Sequence, residues 1–388
     1  MSEEIKLYAA HFAEIYDGKT PRFFKSPGRI NLAGEHTDYN LGKVLPIAIN
    51  HHLLIAISPN GKNSSRIYSR KFDEMISIDH AELFSTANHW ANYVKGIIST
   101  MQSVIHSEIP NFDLSIYGAL PVGAGLSSSA ALTSGIGFAL NTVFDLKIDL
   151  LQMAKLCMQT EHDFANVKCG LLDPVACLFA KKNHLLVFDC LDYSTQYIPF
   201  NFDGFTILLI DSMVRHNLAQ SQHLNECYDD CYKAASAVNK YVAPANSLRD
   251  VKMEQLHAVE NMITKASFNR AKYVINEMNR FDMCLHAAQQ NDLDTFGKSM
   301  FQTHHELDSL YKISCPELNF IIEQCKQNKN IAGAKMTGGG LGGCVIAIAK
   351  NDAVQNFIDE MQNAFYAKFD LQCNIYTLQS DDGVGEVV

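Results

Sequence analysis

The sequence predicts an α+β protein of two closely packed domains, in which helices pack on mixed sheets. A chain of 388 residues is longer than most single domains. Its 47% hydrophobic content, with 22 glycines and 10 prolines, is enough to bury a sizeable core. Strand and helix signals mix without a regular βαβ period up to about residue 200, and the chain then turns helical. We therefore predict domains at 1–200 and 201–388.

Hydrophobic spacing predicts the elements in chain order. Apolar residues at 5, 8, 12 and 15 indicate an amphipathic helix that ends near Gly18. Apolar runs predict strands at 53–58, 113–117, 184–188 and 205–210, and a helical face runs from Trp90 to Met101. After a helical stretch at 216–327, we expect a glycine-rich turn, a strand at 344–349, a helix at 353–369 and a strand at 373–378.

Charge and composition exclude several classes of protein. The 42 acidic and 32 basic side chains give a net charge of −10, which does not suit a nucleic-acid partner. The chain shows neither a signal-peptide pattern nor an apolar run long enough to span a membrane, so we expect a cytoplasmic protein without membrane attachment. The 11 cysteines are scattered and lack a Cys-x-x-Cys pair, which predicts reduced, buried thiols.

Residues 121–132, Pro-Val-Gly-Ala-Gly-Leu-Ser-Ser-Ser-Ala-Ala-Leu, follow a predicted strand and precede a helical run. Gly123 and Gly125 allow backbone N–H groups to approach an anion, and Ser127, Ser128 and Ser129 add hydroxyl donors at a helix N-terminus. A triphosphate suits such a loop, although its spacing is that of neither a P-loop nor a Rossmann motif. The alternative is a serine-capped helix after a flexible turn.

Three more stretches combine polar residues with glycines or a proline. Residues 335–344 hold five glycines within six positions, which favours close approach of another group to this backbone. Residues 26–40 concentrate groups that can bind a polyol or a phosphate; these are Arg29, Asn31, Glu35, His36, Asp38 and Asn40. A solvated loop is the alternative there. Asp173 precedes Pro174 and an apolar run, as a helix N-cap would.

Together, these stretches resemble the galactokinase branch of the GHMP small-molecule kinases. Residues 28–46 look like the galactokinase signature, and residues 121–132 and 335–344 look like the two other shared motifs. The resemblance covers most of the chain. It implies the two-domain GHMP kinase fold, with an active site in the cleft between the domains. It also implies ATP-dependent phosphorylation of the anomeric hydroxyl of galactose.

The resemblance also implies roles for particular residues. Arg29 and Asp173 fall on the family's catalytic pair, with Asp173 as a base or an orienting group. Mg2+ would lie near Ser129 and Glu161. The positions that would bind ATP are Trp90, Gly123, Ala124, Gly125, Leu126, Ser127, Ser128 and Ser129. The positions that would contact the sugar are Arg29, Glu35, His36, Asp38, Gly170, Asp173 and His223. Trp90 fits a core helix equally well. We expect a monomer.

Some positions depart from the family pattern and leave the sugar open. Pro174 stands where Gln is usual, and Asn166 stands where Gly is usual. His223 takes the place of a sugar-contacting Tyr, and residues 224–230 lack the Arg pair found there in galactokinases. The shorter His223 leaves room for a bulkier C2 substituent. The alternatives are therefore a kinase for N-acetylgalactosamine or another hexose, and a non-catalytic sensor of sugar and ATP.

Overall fold

The computed structural model describes residues 3–86, 90–118, 120, 126–199, 202–215 and 217–387. The helices of this part of the chain are α1 Glu3–Ile15, α2 Ala91–Ile105, α3 Ser128–Val143, α4 Leu150–Ala165, α5 Leu172–Phe179, α6 Asn217–Tyr241, α7 Met253–Ala258, α8 Lys265–Gln289, α9 Leu293–Glu306, α10 Pro316–Gln327 and α11 Val354–Phe369. The strands are β1 Arg22–Asn31, β2 Lys43–Val44, β3 Pro46–Pro59, β4 Ser65–Ser69, β5 Glu74–Ile78, β6 Phe112–Gly118, β7 His184–Asp189, β8 Thr195–Pro199, β9 Phe205–Asp211, β10 Ile331–Thr337, β11 Cys344–Lys350, β12 Asn374–Leu378, β13 Ser380–Asp381 and β14 Gly385–Val387.

A seven-stranded mixed sheet forms the centre of the N-terminal half, in the order β14-β1-β3-β6-β4-β5, with β13 also paired to β3. Strands β4 and β6 are parallel, and the other pairs are antiparallel. Helices α3 and α5 pack on β1 and β3, and α2 and α4 pack on each other and on α3. The register between β1 and β3 shifts between Pro27 and Arg29. This bulge lies immediately before the arginine of the predicted catalytic pair.

An antiparallel four-stranded sheet, β10-β11-β9-β12, forms the centre of the C-terminal half. Helix α9 packs closely on β10, and α10 contacts β10 and β11. A third, three-stranded sheet pairs β2 with β7 and β8. Helix α8 contacts β2 and β8, so the helix-rich half is joined directly to the N-terminal half. This architecture confirms the predicted α+β class, and the predicted strands and helices coincide with elements of the structure.

The C-terminal tail returns to the first sheet. Strand β13 pairs with β3, and β14 pairs with β1. Arg22 and Glu386 form an ion pair at 2.6 Å, and Lys25 and Asp381 form another at 2.8 Å. The tail therefore packs with the first 200 residues, although the boundary predicted from composition groups it with the second domain. The boundary at residue 200 itself stays a prediction.

Two further expectations concern composition. All 11 cysteines lie in the described part of the chain and are free thiols, nine of them buried, as predicted. Among the described residues, no helix combines the length and the apolar character needed to cross a membrane.

Candidate active site

Three adjoining cavities form one cleft along the described residues. An apolar cavity of about 450 Å³ is lined by residues that include Phe72, Trp90, Tyr93, Leu132 and Glu161. It shares Ser128 and Ser129 with a glycine-lined cavity, which is bordered by residues of the 338–343 loop. The glycine-lined cavity in turn shares Arg29, Asp173 and Leu224 with a polar cavity, which Glu35, His36, Asp38 and Gly170 also line.

Arg29 and Asp173 meet where the glycine-lined and polar cavities join. Arg29 Nε donates a hydrogen bond of 2.5 Å to Asp173 Oδ1, and the guanidinium is almost completely buried. Ser127 Oγ donates to the other carboxylate oxygen, Asp173 Oδ2. Burial opposes a charged arginine, but the carboxylate of Asp173 raises the pKa of Arg29 above its ordinary value. Two chain segments that are distant in sequence therefore hold the Asp173 carboxylate where the two cavities meet.

The prediction that Asp173 caps a helix is wrong. Helix α5 begins at Leu172, its cap position is Leu171, and Asp173 and Pro174 lie within the first turn. The Asp173 carboxylate accepts hydrogen bonds from the side chains of Arg29 and Ser127. The carboxylate is therefore oriented by two side chains that are distant in sequence, not by the start of its own helix.

Residues 121–132, the Gly/Ser loop, are described from residue 126 onward, and this part lines the glycine-lined cavity. Ser127 has a left-handed backbone, with φ 55°, directly before α3. Leu126 accepts a backbone hydrogen bond of 3.2 Å from Arg29 and also lines this cavity. The predicted nucleotide-binding residues Gly123, Ala124 and Gly125 lie outside the described residues.

The second glycine run, residues 338–343, connects β10 to β11 and lines the same cavity. Gly340 has φ +74°, and a Cβ atom there would lie 2.2 Å from the carbonyl oxygen of Ile313. Backbone approaches this close exclude side chains, which explains glycine at this position. The prediction that this run allows close approach of another group is confirmed at this residue.

The apolar cavity is lined by aromatic side chains and by one buried carboxylate, that of Glu161. Trp90 lies just before α2; its ring stacks against Phe72 and its Nε1 donates to Glu74 at 2.8 Å. Glu161, at the C-terminal end of α4, lines the same cavity as Ser129. Burial and the negative charge of Asp173 raise the pKa of Glu161 to about 7. A cation at this place would relieve the cost of burying the charged form.

The polar cavity is built largely from the loop that follows β1. Burial and the charge of Asp173 raise the pKa of Asp38 to about 6. A Cβ atom on Gly170 would lie 2.3 Å from Asp38 Oδ2, so this position leaves room only for glycine. Burial lowers the pKa of His36 to about 4, so its ring is neutral at pH 7. The cavity thus presents carboxylate and imidazole groups that can bind hydroxyls.

Glu35 forms a buried ion pair with Lys335, a residue that its sequence context does not mark as a site residue. Its Oε2 lies 2.5 Å from Nζ of Lys335, whose side chain is fully buried, and accepts from Asn31 at 2.9 Å. Its Oε1 accepts from the backbone N–H of Gly338 at 3.3 Å. Burial alone would raise the pKa of Glu35, but Lys335 lowers it overall. Lys335 belongs to the second glycine motif, so this ion pair joins two predicted motifs.

The geometry does not bring His223 into the polar cavity. Its Nε2 lies 3.0 Å from the carbonyl oxygen of Lys312, and the next residue, Leu224, lines the cavity instead. Arg270 of α8 lies 3.4 Å from His223 and pairs with Asp230 at 2.6 Å. An arginine from another helix is thus present close to the segment that lacks the family's Arg pair.

Comparisons with known proteins first define the class. Family models match three parts of the chain: the galactokinase galactose-binding signature matches residues 10–59, the GHMP kinases N terminal domain matches residues 92–181, and the GHMP kinases C terminal domain matches residues 284–368. A solved mevalonate kinase covers 93% of the chain and is itself covered to 99%, with TM-score 0.65 and 18% identity. The fold is therefore that of the GHMP kinases.

More similar proteins define the family. A galactokinase of Thermotoga neapolitana is 33% identical over 363 residues, which are 94% of this chain and 99% of that protein. A galactokinase of Clostridium beijerinckii is 30% identical, over 99% of this chain and 100% of its own. The crystal structure of Lactococcus lactis galactokinase complexed with galactose superposes with TM-score 0.94 at 29% identity, covering 99% of this chain and 100% of that one. The chain belongs to the galactokinase family.

Proposed function

We propose that this chain transfers the terminal phosphoryl group of ATP to the anomeric hydroxyl of galactose, giving galactose 1-phosphate and ADP. The observation that carries this proposal is the position of Arg29 and Asp173, which line both the glycine-lined and the polar cavity. A phosphate in one cavity and a sugar hydroxyl in the other would meet at this pair. The relatives named galactokinase support galactose as the sugar.

Asp173 and Arg29 act together on the attacking hydroxyl. Asp173 accepts its proton or orients it through a hydrogen bond, and Arg29 stabilises the negative charge that develops between the sugar oxygen and the phosphoryl group. Phosphoryl transfer depends mainly on positioning and charge stabilisation. Arg29 and Ser127, from two different segments of the chain, each form a hydrogen bond with one oxygen of the Asp173 carboxylate. Asp173 is therefore oriented before the substrates bind.

Ser129 and Glu161 would hold Mg2+. Hydroxyl and carboxylate oxygens are ligands that Mg2+ accepts, and these two residues line the cavity next to the Gly/Ser loop. Within the described ranges, no group of three or more His, Cys, Asp or Glu side chains is placed to hold a metal. This fits an ion that takes most of its ligands from phosphate oxygens and water. When bound, Mg2+ neutralises charge on the phosphate oxygens.

The two ends of the cleft suit the two substrates. Trp90, Phe72 and Leu132 give the apolar cavity the surfaces on which an adenine ring packs, and its volume of about 450 Å³ is in the range of small-molecule sites. Leu126 and the three serines follow with backbone N–H groups, and Ser128 adds a hydroxyl, as hydrogen-bond donors for the phosphates. At the other end, Glu35, His36, Asp38 and Gly170 bind the sugar hydroxyls.

A coupled ADP-release assay with Mg-ATP tests the proposal over a panel of sugars: galactose, N-acetylgalactosamine, glucose, mannose and arabinose. We expect turnover with galactose, and a loss of at least about 100-fold in kcat in Asp173→Asn. Asp294→Asn, an exposed carboxylate in the first turn of α9, is the matched control and should keep full activity. Turnover with another sugar alone would favour a different hexose 1-kinase. Tight binding of sugar and ATP without turnover would favour a non-catalytic sensor.

A further inference from the structure

A chain of hydrogen bonds starts at the His36 ring and passes through Tyr39, which also lines the polar cavity, to the buried Tyr311 and Cys231. His36 Nδ1 lies 3.1 Å from the Tyr39 hydroxyl, which forms a short hydrogen bond with the Tyr311 hydroxyl. The Tyr311 hydroxyl in turn lies 3.8 Å from Cys231 Sγ. Tyr311 and Cys231 are completely buried. The other ring nitrogen, Nε2, is buried and has no hydrogen-bond partner among the described residues, and His36 lines the polar cavity.

The direction of these hydrogen bonds follows from acidity. A neutral imidazole carries one proton, on Nδ1 or on Nε2. A phenol is the stronger donor and an imidazole nitrogen the stronger acceptor, so Tyr39 donates to His36 Nδ1. Tyr311 then donates to Tyr39, and the Cys231 thiol donates to Tyr311, so each hydroxyl both donates and accepts. This order leaves the imidazole proton on Nε2.

The backbone and the second domain hold His36 in this position. His36 has φ +61°, a left-handed conformation that costs free energy for a residue with a side chain. Asn40 Nδ2 donates to the His36 carbonyl at 3.1 Å and stabilises the turn. The His36 ring stacks on Tyr311 with ring centroids 4.9 Å apart. Tyr311 ends a π-helical turn, Leu307–Tyr311, and such turns are frequent at functional sites.

We propose that Tyr39 and Tyr311 are positioning residues that fix the Nε2–H form of His36 and so make it a hydrogen-bond donor to a sugar oxygen. The identity of the ligand as a sugar rests on the proposed function. The direction of the hydrogen bonds from Cys231 to His36 does not rest on the proposed function, because it is set by the protein alone. His36 therefore selects for an acceptor oxygen at its place in the cavity, and a deoxy sugar that lacks this oxygen binds more weakly.

Nitrogen-15 NMR of protein labelled at histidine tests the chain of hydrogen bonds without any substrate. His36→Gln identifies the His36 signals. We expect Nε2 to be protonated and Nδ1 to be a hydrogen-bonded acceptor in the parent, and the Nδ1 signal to move to the position of a free acceptor in Tyr39→Phe. Tyr228→Phe is the matched control, because its ring packs 5.6 Å from that of Tyr39. Protonated Nδ1 in the parent, or an unchanged Nδ1 signal in Tyr39→Phe, would overturn the proposal.

Kinetics test the consequence for the sugar. In Tyr39→Phe we expect the KM for galactose to rise about 3- to 10-fold, the effect of one neutral hydrogen bond, with kcat and the KM for ATP unchanged. Tyr311→Phe should also raise the KM for galactose, but by a smaller factor. If Tyr39→Phe does not fold, Tyr311→Phe provides the test. An equal change in both KM values would indicate a merely structural role and overturn the proposal. A parent without sugar turnover would contradict the proposed function, and the NMR result would still decide the protonation of His36.

Discussion

Replacing Lys335 by methionine should destabilise the protein strongly, because it leaves a carboxylate buried without its cation. Lys335 Nζ lies 2.5 Å from Glu35 Oε2, and the side chains are 0% and 7% exposed. In the variant, the hydrogen bonds that Glu35 keeps from described side chains and N–H groups are those from Asn31 and the Gly338 N–H. Removing one partner of a buried ion pair costs about 3–5 kcal/mol. This is a large part of the roughly 5–15 kcal/mol that typically stabilises a domain.

Urea unfolding followed by circular dichroism measures this loss. The double variant Glu35→Gln/Lys335→Met removes the uncompensated charge and should recover part of the stability. Lys147→Met is the matched control, since Lys147 is 77% exposed and pairs with an exposed aspartate; we expect a change below about 0.5 kcal/mol. A Lys335→Met variant within about 1 kcal/mol of the parent would refute the reasoning, as would a double variant no more stable than Lys335→Met.

The pH dependence of this loss has a definite sign. In the parent, Lys335 lowers the pKa of Glu35 below its ordinary value, so the ionised carboxylate contributes stability near neutral pH that is lost as the pH falls through the lowered value. In Lys335→Met we expect the pKa of Glu35 to be higher than in the parent, because burial then acts without the lysine. Protonation of Glu35 would remove the buried charge as the pH falls. The difference in stability between parent and variant should therefore narrow from neutral toward acidic pH. A widening difference would contradict the assigned charge states.

Three other changes each test one contact of the cleft. Gly170→Ala would place a Cβ atom 2.3 Å from Asp38 Oδ2, so we expect the KM for galactose to rise at least about tenfold while the KM for ATP is unchanged. Because the pKa of Asp38 is raised to about 6, kcat/KM for galactose should fall as Asp38 becomes protonated at lower pH, and Asp38→Asn should flatten that part of the profile. Ser127→Ala removes a hydrogen bond to the Asp173 carboxylate, typically worth about 1.5–3 kcal/mol, which predicts kcat/KM lower by about 10- to 100-fold, whereas Ser127→Thr keeps a hydroxyl. Kinetics equal to those of the parent in Gly170→Ala, Asp38→Asn or Ser127→Ala would contradict the role given to the residue that was changed.

Local patterns predicted the elements and motifs well, because both depend on neighbouring residues. The strands at 53–58, 113–117, 184–188, 205–210 and 344–349 were readable because their apolar runs are buried in the sheets. Arg29 and Asp173 are 144 positions apart, and only the family resemblance paired them. The structure brings them into contact.

Contacts between distant segments could not be read from local patterns. Lys335 looked like part of a glycine-rich turn, but it lies within strand β10 and is 300 positions from Glu35. Tyr311 carries no local signal for its contact with His36. Strands β13 and β14 have two and three residues, too few for a periodic pattern, and they form by pairing with the first sheet. The N-cap prediction for Asp173 followed a correct local rule, but Leu171 occupies the cap.

The reaction product decides whether the cleft phosphorylates galactose at its anomeric carbon. Phosphorus-31 NMR with proton correlation, on galactose incubated with Mg-ATP and the protein, identifies the carbon that carries the new phosphate. We predict one sugar phosphate whose phosphorus couples to the anomeric proton, and none in the same time with Asp173→Asn. A phosphate on another carbon, or product formed equally fast by Asp173→Asn, would contradict the proposed role of the Arg29–Asp173 pair.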